Sequence, residues 1–257
     1  HTPPKYGQKT QYAKEEDESP VLGKEATKYI QQVAGTFLFY GRTVDSTMLT
    51  PLSAISSQQS APTEETMKKV KQFLDYCASQ EDAVITYRRS DMILAAHSDA
   101  GYLSEPKARS RAGGHFFMSN NAEFPPNNGA ILNIAQVIKA VMSSAAEAEL
   151  GALYIVAREA VFIRQILEAL GHVQPPTPIQ TDNSTAEGVV NLRVQPKRTK
   201  AMDMRFHWLR DRETKKQFRF YWRRGILNIT DYWTKHHSTA HHRHMRPEIL
   251  TSVEKLM

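Results

Sequence analysis

The order of strand-like and helix-like segments after residue 82 constrains the fold most. A long helical pattern at 144–170, ended by Gly171, follows a group of short apolar runs with tight connections. The predicted strands are 83–87, 92–96, 112–119, 130–136, 177–181 and 217–222. The further predicted helices are 184–192, 203–215 and 229–234. This alternation predicts a mixed α/β fold around one central sheet.

The sequence before residue 83 lacks this alternation. Residues 1–20 are polar and contain an acidic run, so we predict an extended arm or linker there. Residues 21–82 carry apolar side chains at three- and four-residue steps. This spacing predicts helices over 24–44, over 48–58 and from a start at Thr63. We therefore expect a small helical unit in front of the α/β fold.

Positive charge is concentrated in one segment of the chain. The whole sequence has a formal net charge of +6, which is a mild excess for 257 residues. Residues 192–224 hold twelve Lys or Arg and three acids, so this segment alone carries +9 and the remainder is slightly acidic. Aromatic side chains are interleaved with these cations. A polyanionic partner is the first hypothesis for such a segment.

Cysteine content and hydropathy indicate the cellular compartment of the protein. Cys77 is the only cysteine, so the chain has no internal disulfide and no cysteine-based zinc cluster. No apolar run approaches the roughly 18 residues that a membrane-spanning helix needs, and no signal peptide is recognisable. We expect an intracellular protein that is neither secreted nor bound to a membrane. The start at His1 suggests a piece of a longer chain.

Four carboxylates lie at or near the ends of predicted elements. Asp99 and Asp182 each follow a strand, Glu149 lies in the first turns of the long helix, and Asp231 lies on the last short helix. Each alone could be a turn or helix cap. Four acids at one edge would repel each other unless cations lay between them. Oxygen-only ligands suit Mg²⁺ or Mn²⁺, and two such ions can assist an in-line displacement on phosphorus. The ordered set therefore favours a metal site.

Six short motifs follow one another along the chain, and four of them contain these acids. They are 97–100 (HSDA), 107–114 (KARSRAGG), 143–149 (SSAAEAE), 178–186 (PIQTDNSTA), 198–207 (RTKAMDMRFH) and 231–235 (DYWTK). In this order, the motifs resemble the C-terminal part of the Pol polyprotein of copia-type LTR retrotransposons. That part comprises the end of reverse transcriptase and its RNase H domain. Weaker matches at 33–40 and 74–76 resemble the segment that connects the polymerase to RNase H.

The resemblance implies a fold, an activity and partners. The fold would be RNase H-like, with a central mixed five-stranded sheet flanked by helices, over residues 83–246, with a tail at 247–257. Residues 21–82 would form the helical connection segment. The activity would be cleavage of the RNA strand of RNA–DNA hybrids with two Mg²⁺ or Mn²⁺ ions. The partners would be the hybrid and the upstream polymerase domain of the same polyprotein, in cytoplasmic retroelement particles.

The resemblance also assigns roles to the four acids. Asp99 would bridge both ions, Glu149 would hold one ion near the RNA 2′-hydroxyl, and Asp182 and Asp231 would complete the two sites. Geometry also favours Glu149 over Glu147, because residues two apart on a helix face about 200° apart. Glu147 is expected to interact with the helix dipole instead.

A further group of residues is predicted to contact the nucleic acid. Hybrid recognition relies on the sugar–phosphate backbone and the 2′-OH rather than on base edges. The predicted contacts are Ser110, Arg111, Asn183, Arg198, Lys200, Arg205, Arg223 and Arg224. Binding through such cations should weaken steeply with salt.

Two alternative functions and one departure from the family pattern remain. The chain could be a non-catalytic RNase H-like module that binds hybrid or supports the polymerase. A strand-transfer enzyme on the same fold would need its glutamate late in the chain, whereas Glu149 comes second among the four acids here.

Residues 223–228 lack the histidine that cellular RNases H commonly place before the last aspartate. The five histidines at 236–244 predict a partly exposed cationic end rather than a zinc site.

Overall fold

A computed structural model describes residues 17–80, 82–191 and 204–251 of the chain. The helices are α1 (Lys24–Thr43), α2 (Leu49–Gln58), α3 (Glu64–Ala78), α4 (Ala145–Ala169), α5 (Ser184–Val190), α6 (Met204–Thr214), α7 (Asp231–Thr234) and α8 (Thr239–Ile249). The strands are β1 (Ile93–Glu105), β2 (Arg109–Ser119), β3 (Ala130–Val137), β4 (Thr177–Thr181) and β5 (Phe218–Trp222). Within these described stretches, no helix is long and apolar enough to cross a bilayer.

The chain divides into two compact units. One comprises His1–Thr86 with His236–Met257, and the other comprises Tyr87–Lys235. The predicted arm at 1–20 lies almost wholly outside the described residues. The second unit ends before the predicted limit at 246, since α8 belongs to the first unit. The predicted domain limits stay a prediction.

The first unit is a helical bundle, and its helices α1, α2 and α3 begin within one residue of the predicted positions. Thr63 caps α3: its Oγ1 accepts the N–H of Thr66, and the Thr66 hydroxyl accepts the N–H of Thr63. The apolar stripes of α1, α2 and α3 meet in a common core around Ile30, Leu52 and Phe73. The predicted helical character of residues 21–82 is therefore confirmed for the described residues.

Helix α8 contains part of the segment that was predicted to be a partly exposed cationic end. Its anchor is Arg246, whose Nη1 lies 3.1 Å from Oδ2 of the fully buried Asp45. Arg246 Nε also donates to Gln80 Oε1 at 2.8 Å. The ring of His242 packs edge-on against Tyr76 at 5.2 Å between centroids. Part of the histidine-rich segment is thus a structural helix of the first unit.

Replacing Arg246 with methionine is expected to lower the free energy of unfolding by about 3 kcal/mol. The change leaves the Asp45 carboxylate buried without its cationic partner. Urea unfolding followed by far-UV circular dichroism measures the effect. Arg243→Met, at an exposed position of the same helix, is the matched control and should change stability by less than about 0.5 kcal/mol. Equal losses in the two variants would contradict the anchoring role of Arg246.

The second unit is built on the mixed five-stranded sheet that was predicted. Its strand order is β3-β2-β1-β4-β5. β1, β2 and β3 pair antiparallel, whereas β4 pairs parallel with both β1 and β5. The side chains of alternate residues in β1 point to opposite faces of the sheet. Leu94 and Ala96 join the core under α4, whereas His97 lies against Phe117 on the opposite face.

Two strand predictions need correction. Residues 83–87 form no strand, since Val84 makes a single bridge to Thr251 and residues 83–87 have no continuous ladder. β1 was predicted to end at 96 but continues to Glu105. Its second half is polar and rich in small residues, and it is extended because it pairs with β2, from Asp99 opposite Gly113 to Glu105 opposite Arg109.

Candidate active site

Asp99 lies on the central strand of the sheet, at 4% exposure. Its neighbour across the β1–β2 ladder is Gly113. On the side of α7, the Thr234 hydroxyl donates a hydrogen bond to Asp99 Oδ2 at 2.8 Å. A strand fixed between two neighbours and a hydroxyl donor together hold this carboxylate in one place.

Glu149 reaches Asp99 from the second turn of α4. The backbone N–H of Ala100 donates to Glu149 Oε1 at 3.2 Å. Glu149 Oε2 is buried and has no hydrogen-bond partner among the described residues. Glu147 points elsewhere: its Oε2 accepts the N–H of Ser143 at 2.6 Å, and its own N–H donates to Ser144 Oγ. Of the two glutamates, Glu149 is therefore the one that lies beside Asp99, and its role as a site residue stays a prediction.

Asp182 follows β4, which runs parallel to β1. Because Ala96 and His97 of β1 pair with Ile179 and Gln180 of β4, the same register brings Asp182 close to Asp99, midway along β1. One ligand oxygen each from Asp99, Glu149 and Asp182 lie within 4.8 Å of one another. The backbone at Gly225 closes this side, since a Cβ there would lie 2.7 Å from Asp182 Oδ2.

Asp231, the first residue of α7, stands beside this three-carboxylate cluster. Its Oδ1 lies 2.5 Å from the Nζ of Lys235, one turn further along the chain. Its negative charge raises the pKa values of Asp99 and Asp182, and its backbone oxygen accepts a hydrogen bond from the Thr234 hydroxyl that also contacts Asp99. Three of the four predicted acids thus share one cluster, and Asp231 lies on the adjacent helix α7.

The cluster is electrostatically strained without a cation. Burial raises the pKa of Asp99 to about 7 from its ordinary 3.8, and the charges of Asp231 and Asp182 add to the rise. Burial also raises the pKa of Glu149 well above 4.5, with further contributions from Asp99 and Asp182. The pKa of Asp182 is raised by burial as well. A bound cation would offset the repulsion and favour the ionised carboxylates.

The donor set fits a divalent cation. All donors are carboxylate oxygens, which Mg²⁺ and Mn²⁺ prefer. Three of the carboxylates offer oxygens within 4.8 Å of one another. The unpartnered Oε2 of Glu149 supplies a buried ligand atom that no described side chain or backbone group satisfies. The residues therefore match the metal type that the sequence predicted.

Replacing Gly225 with alanine is expected to weaken Mn²⁺ affinity by about tenfold. The new Cβ would displace the Asp182 carboxylate, which it would approach to 2.7 Å. Stability should change little, because a flexible side-chain end can move aside. Isothermal titration calorimetry measures the affinity. Ile226→Ala alters the next residue, which is 92% exposed, and should bind Mn²⁺ like the wild type. An unchanged affinity for Gly225→Ala would contradict the ligand role of Asp182.

The structure places the predicted nucleic-acid contacts in three groups. Ser110 and Arg111 are fully buried. The Ser110 hydroxyl accepts the N–H of Leu103, and the Arg111 guanidinium pairs with Glu105 at 2.8 Å. Neither side chain can reach a bound nucleic acid here, so the prediction is corrected for both. Asn183, Arg205, Arg223 and Arg224 are at least partly accessible. Arg198 and Lys200 lie outside the described residues.

Two residues that shape the site were not predicted as site residues. Thr234 donates to Asp99, and Asn228 Nδ2 donates to the backbone oxygen of Ser98 at 2.9 Å. The spacing of Asp231 and Thr234, three residues apart on a helix, puts both on one face and was the available signal for Thr234. No local pattern pointed to Asn228, because its partner is 130 residues away.

Comparison with known proteins relates the chain to the Pol polyproteins of retroelements. The relative is the retrovirus-related Pol polyprotein from transposon TNT 1-94 of Nicotiana tabacum, 27% identical over 150 residues. The match covers 58% of this chain and 11% of that polyprotein, so the chain spans a small part of its relative. The predicted resemblance to retrotransposon Pol is thereby confirmed. No family model matches the chain.

Solved structures with a similar fold include two RNases H1. One was isolated from compost by a metagenomic approach (12% identity, 56% of this chain and 93% of that chain, TM-score 0.41). The other is from Halobacterium salinarum (12%, 55% and 94%, TM-score 0.36). A foamy viral protease-reverse transcriptase in complex with ds DNA is also similar (18%, 80% and 36%, TM-score 0.31). The mixed five-stranded sheet with flanking helices agrees with the predicted RNase H-like fold.

Proposed function

We propose that this chain is an endoribonuclease of the RNase H type, which hydrolyses the RNA strand of RNA–DNA hybrids with two Mg²⁺ or Mn²⁺ ions. The observation that carries the proposal is the convergence of Asp99, Glu149 and Asp182 in one largely buried cluster, with Asp231 beside it. The relationship to Pol polyproteins supports the same type of function. When bound, two divalent ions activate water and stabilise the leaving oxygen during displacement at phosphorus.

The four acids would hold these ions, and neighbouring groups would set their state. The Ala100 N–H engages Glu149 Oε1 and leaves Oε2 for a ligand. The Lys235 ammonium pairs with Asp231 and offsets part of the negative charge. Bound cations would oppose the raised pKa of Asp99 and keep its carboxylate ionised at neutral pH.

The hybrid would lie across the same end of the sheet. Asn183 follows Asp182 and caps α5 by accepting the N–H of Ala186. Arg223 and Arg224 come directly before Gly225, which contacts Asp182. We assign these three residues, with Arg205 on α6, to the sugar–phosphate backbone of the substrate. Contacts of this kind position a duplex without reading its base sequence.

The relationship to a polyprotein extends the proposal to partners and setting. The domain would act together with an upstream polymerase domain of the same polyprotein, which would deliver the hybrid. The setting would be intracellular, in retroelement particles. If the two domains are expressed as separate chains, co-purification of the polymerase domain with this chain would support the partnership.

A cleavage assay tests the proposal. A labelled RNA strand annealed to DNA should be cut in Mg²⁺ and remain intact in EDTA, and double-stranded RNA should be spared. Salt-sensitive binding without cleavage would identify the non-catalytic module instead. Equal cleavage of hybrid and double-stranded RNA would contradict the assigned specificity.

A further inference from the structure

Two glycines let α7 lie unusually close to the sheet. A Cβ on Gly101 of β1 would overlap the carbonyl oxygen of Thr234. A Cβ on Gly113 of β2 would lie 2.7 Å from the carbonyl oxygen of Thr230 and 2.8 Å from Thr234 Cγ2. Real Cβ atoms do not approach backbone oxygens so closely. Any larger residue at these two positions would therefore lift α7 away from the strands.

The chain before α7 is held in place by side-chain hydrogen bonds to the sheet. Asn228 is 4% exposed; its Nδ2 donates to the backbone oxygen of Ser98, and its Oδ1 accepts the N–H of Thr230. Gln180 Nε2 of β4 donates to the backbone oxygen of Leu227 at 3.0 Å. These contacts fix the lateral position of α7 over β1 and β4. The two glycines set its distance from the sheet.

The close approach brings a hydroxyl onto the central carboxylate of the site. Thr234 is 1% exposed, and its Oγ1 lies 2.8 Å from Asp99 Oδ2 and 3.0 Å from the backbone oxygen of Asp231. A hydroxyl has one proton, and the carboxylate is the stronger and nearer acceptor. The bond therefore occupies Oδ2 of Asp99 and determines how the carboxylate is rotated.

We propose that Thr234 is a positioning residue for the metal site. Its hydroxyl holds Asp99 in the rotation that lets Asp99, Glu149 and Asp182 share a ligand, and the two glycines set the height at which this contact forms. The inference rests on the proposed metal-binding function. It adds a donor on α7, the element that also carries Asp231, so that one short helix supplies both a ligand and the group that orients another ligand.

Thr234→Val tests the proposal, because valine keeps the shape of threonine and removes the hydroxyl. Mn²⁺ affinity, measured by calorimetry on the full chain, should fall by about tenfold or more, as is usual when a group that orients a metal ligand is lost. Thr234→Ser keeps a hydroxyl and should restore the affinity to within about threefold of wild type. Thr234→Ala, which removes the hydroxyl in a smaller residue, should behave like the valine variant.

Thr177→Val is the matched control for loss of a buried threonine hydroxyl. Thr177 is fully buried, and its Oγ1 accepts a hydrogen bond from Arg164. It lies at the end of β4 away from Asp182, so its replacement should reduce stability without changing Mn²⁺ affinity. A merely structural Thr234 would follow this control: its valine variant would lose stability and keep its affinity.

The outcomes separate this inference from the proposed function. Wild-type affinity in Thr234→Val, or a loss in Thr234→Ser as large as in Thr234→Val, overturns the role of Thr234 alone. Mn²⁺ binding by the wild type without hybrid cleavage overturns the proposed nuclease and leaves the Thr234 comparison valid. An absence of Mn²⁺ binding by the wild type overturns both.

Discussion

Asp99→Asn is expected to lower the rate of hybrid cleavage by more than about a hundredfold. Replacing a group that only orients a metal ligand commonly costs about 10–100-fold, and Asp99 is the central proposed ligand itself. Asparagine keeps the shape and can still accept the hydrogen bond from Thr234, but it has no negative charge to hold a cation. Asp182→Asn should give a loss of similar size, since it removes a second carboxylate from the same cluster.

The measurement is single-turnover cleavage of a labelled hybrid at saturating Mg²⁺. Asp211→Asn is the matched control, because Asp211 is an exposed acid of the same unit that pairs with Lys215 at the surface. This control should cut like the wild type. Cleavage by Asp99→Asn at the control rate would overturn the assignment of the site. Circular dichroism of all three variants shows whether a loss of cleavage is caused by unfolding.

In metal-free buffer, Asp99→Asn is expected to be more stable than the wild type at pH 8 and similar to it near pH 4. The folded pKa of Asp99 is about 7, above its ordinary 3.8, so the folded protein binds this proton more tightly than the unfolded chain. The corresponding stability is fully present below pH 4 and is lost as the pH rises through 7. Each unit of difference between the folded and unfolded pKa of Asp99 corresponds to about 1.4 kcal/mol of stability. The expected difference in stability between the two proteins at pH 8 is therefore a few kcal/mol.

The difference between wild type and variant is the quantity to measure. His97 and His115 are buried with lowered pKa values, and they make stability rise with pH up to about 6.5 in both proteins. Subtracting the free energy of unfolding of the variant from that of the wild type removes the contribution of the two histidines. Trp208, Trp222 and Trp233 are the only tryptophans and all lie in the second unit, so their fluorescence reports its unfolding in urea. A difference that stays constant from pH 4 to pH 8 would contradict the raised pKa of Asp99.

Excess Mn²⁺ should reduce the stability advantage of Asp99→Asn over the wild type at pH 8. A ligand that binds only the folded state stabilises it by RT ln(1 + [L]/Kd), or about 2.7 kcal/mol at a hundredfold excess over Kd. The wild type should gain this increment, and Asp99→Asn should gain little of it. Equal gains in the two proteins would place the Mn²⁺ away from Asp99.

Local periodicity was enough to predict most of the elements. The apolar spacing of α4 and the Ser144 cap define a helix wherever the rest of the chain lies. The second half of β1 could not be predicted in this way, since it is extended through pairing with β2 rather than through apolar alternation. Helix α8 was missed because Arg246 and its buried partner Asp45 are two hundred residues apart in the sequence.

The four acids were predictable, and their surroundings were only partly so. Motif order and the position of carboxylates near element ends indicated Asp99, Glu149, Asp182 and Asp231 as candidates. Whether a side chain is buried could not be predicted from these motifs. Arg111 had the charge of a phosphate contact, yet it lies inside the sheet against Glu105 because the β1–β2 ladder turns it inward.

The hydrogen bond from Asn228 to Ser98 joins positions 130 residues apart, and this has a consequence for the order of folding. Contacts of such long range carry a large loop-closure cost and form after local ones. The β1–β2 hairpin and α4 can assemble while the chain is still being synthesised, but α7 reaches the sheet only after residue 235 has emerged. A ribosome-bound or truncated chain would hold a partial sheet with three of the four acids. The complete set of four acids would therefore be the last feature of the second unit to form.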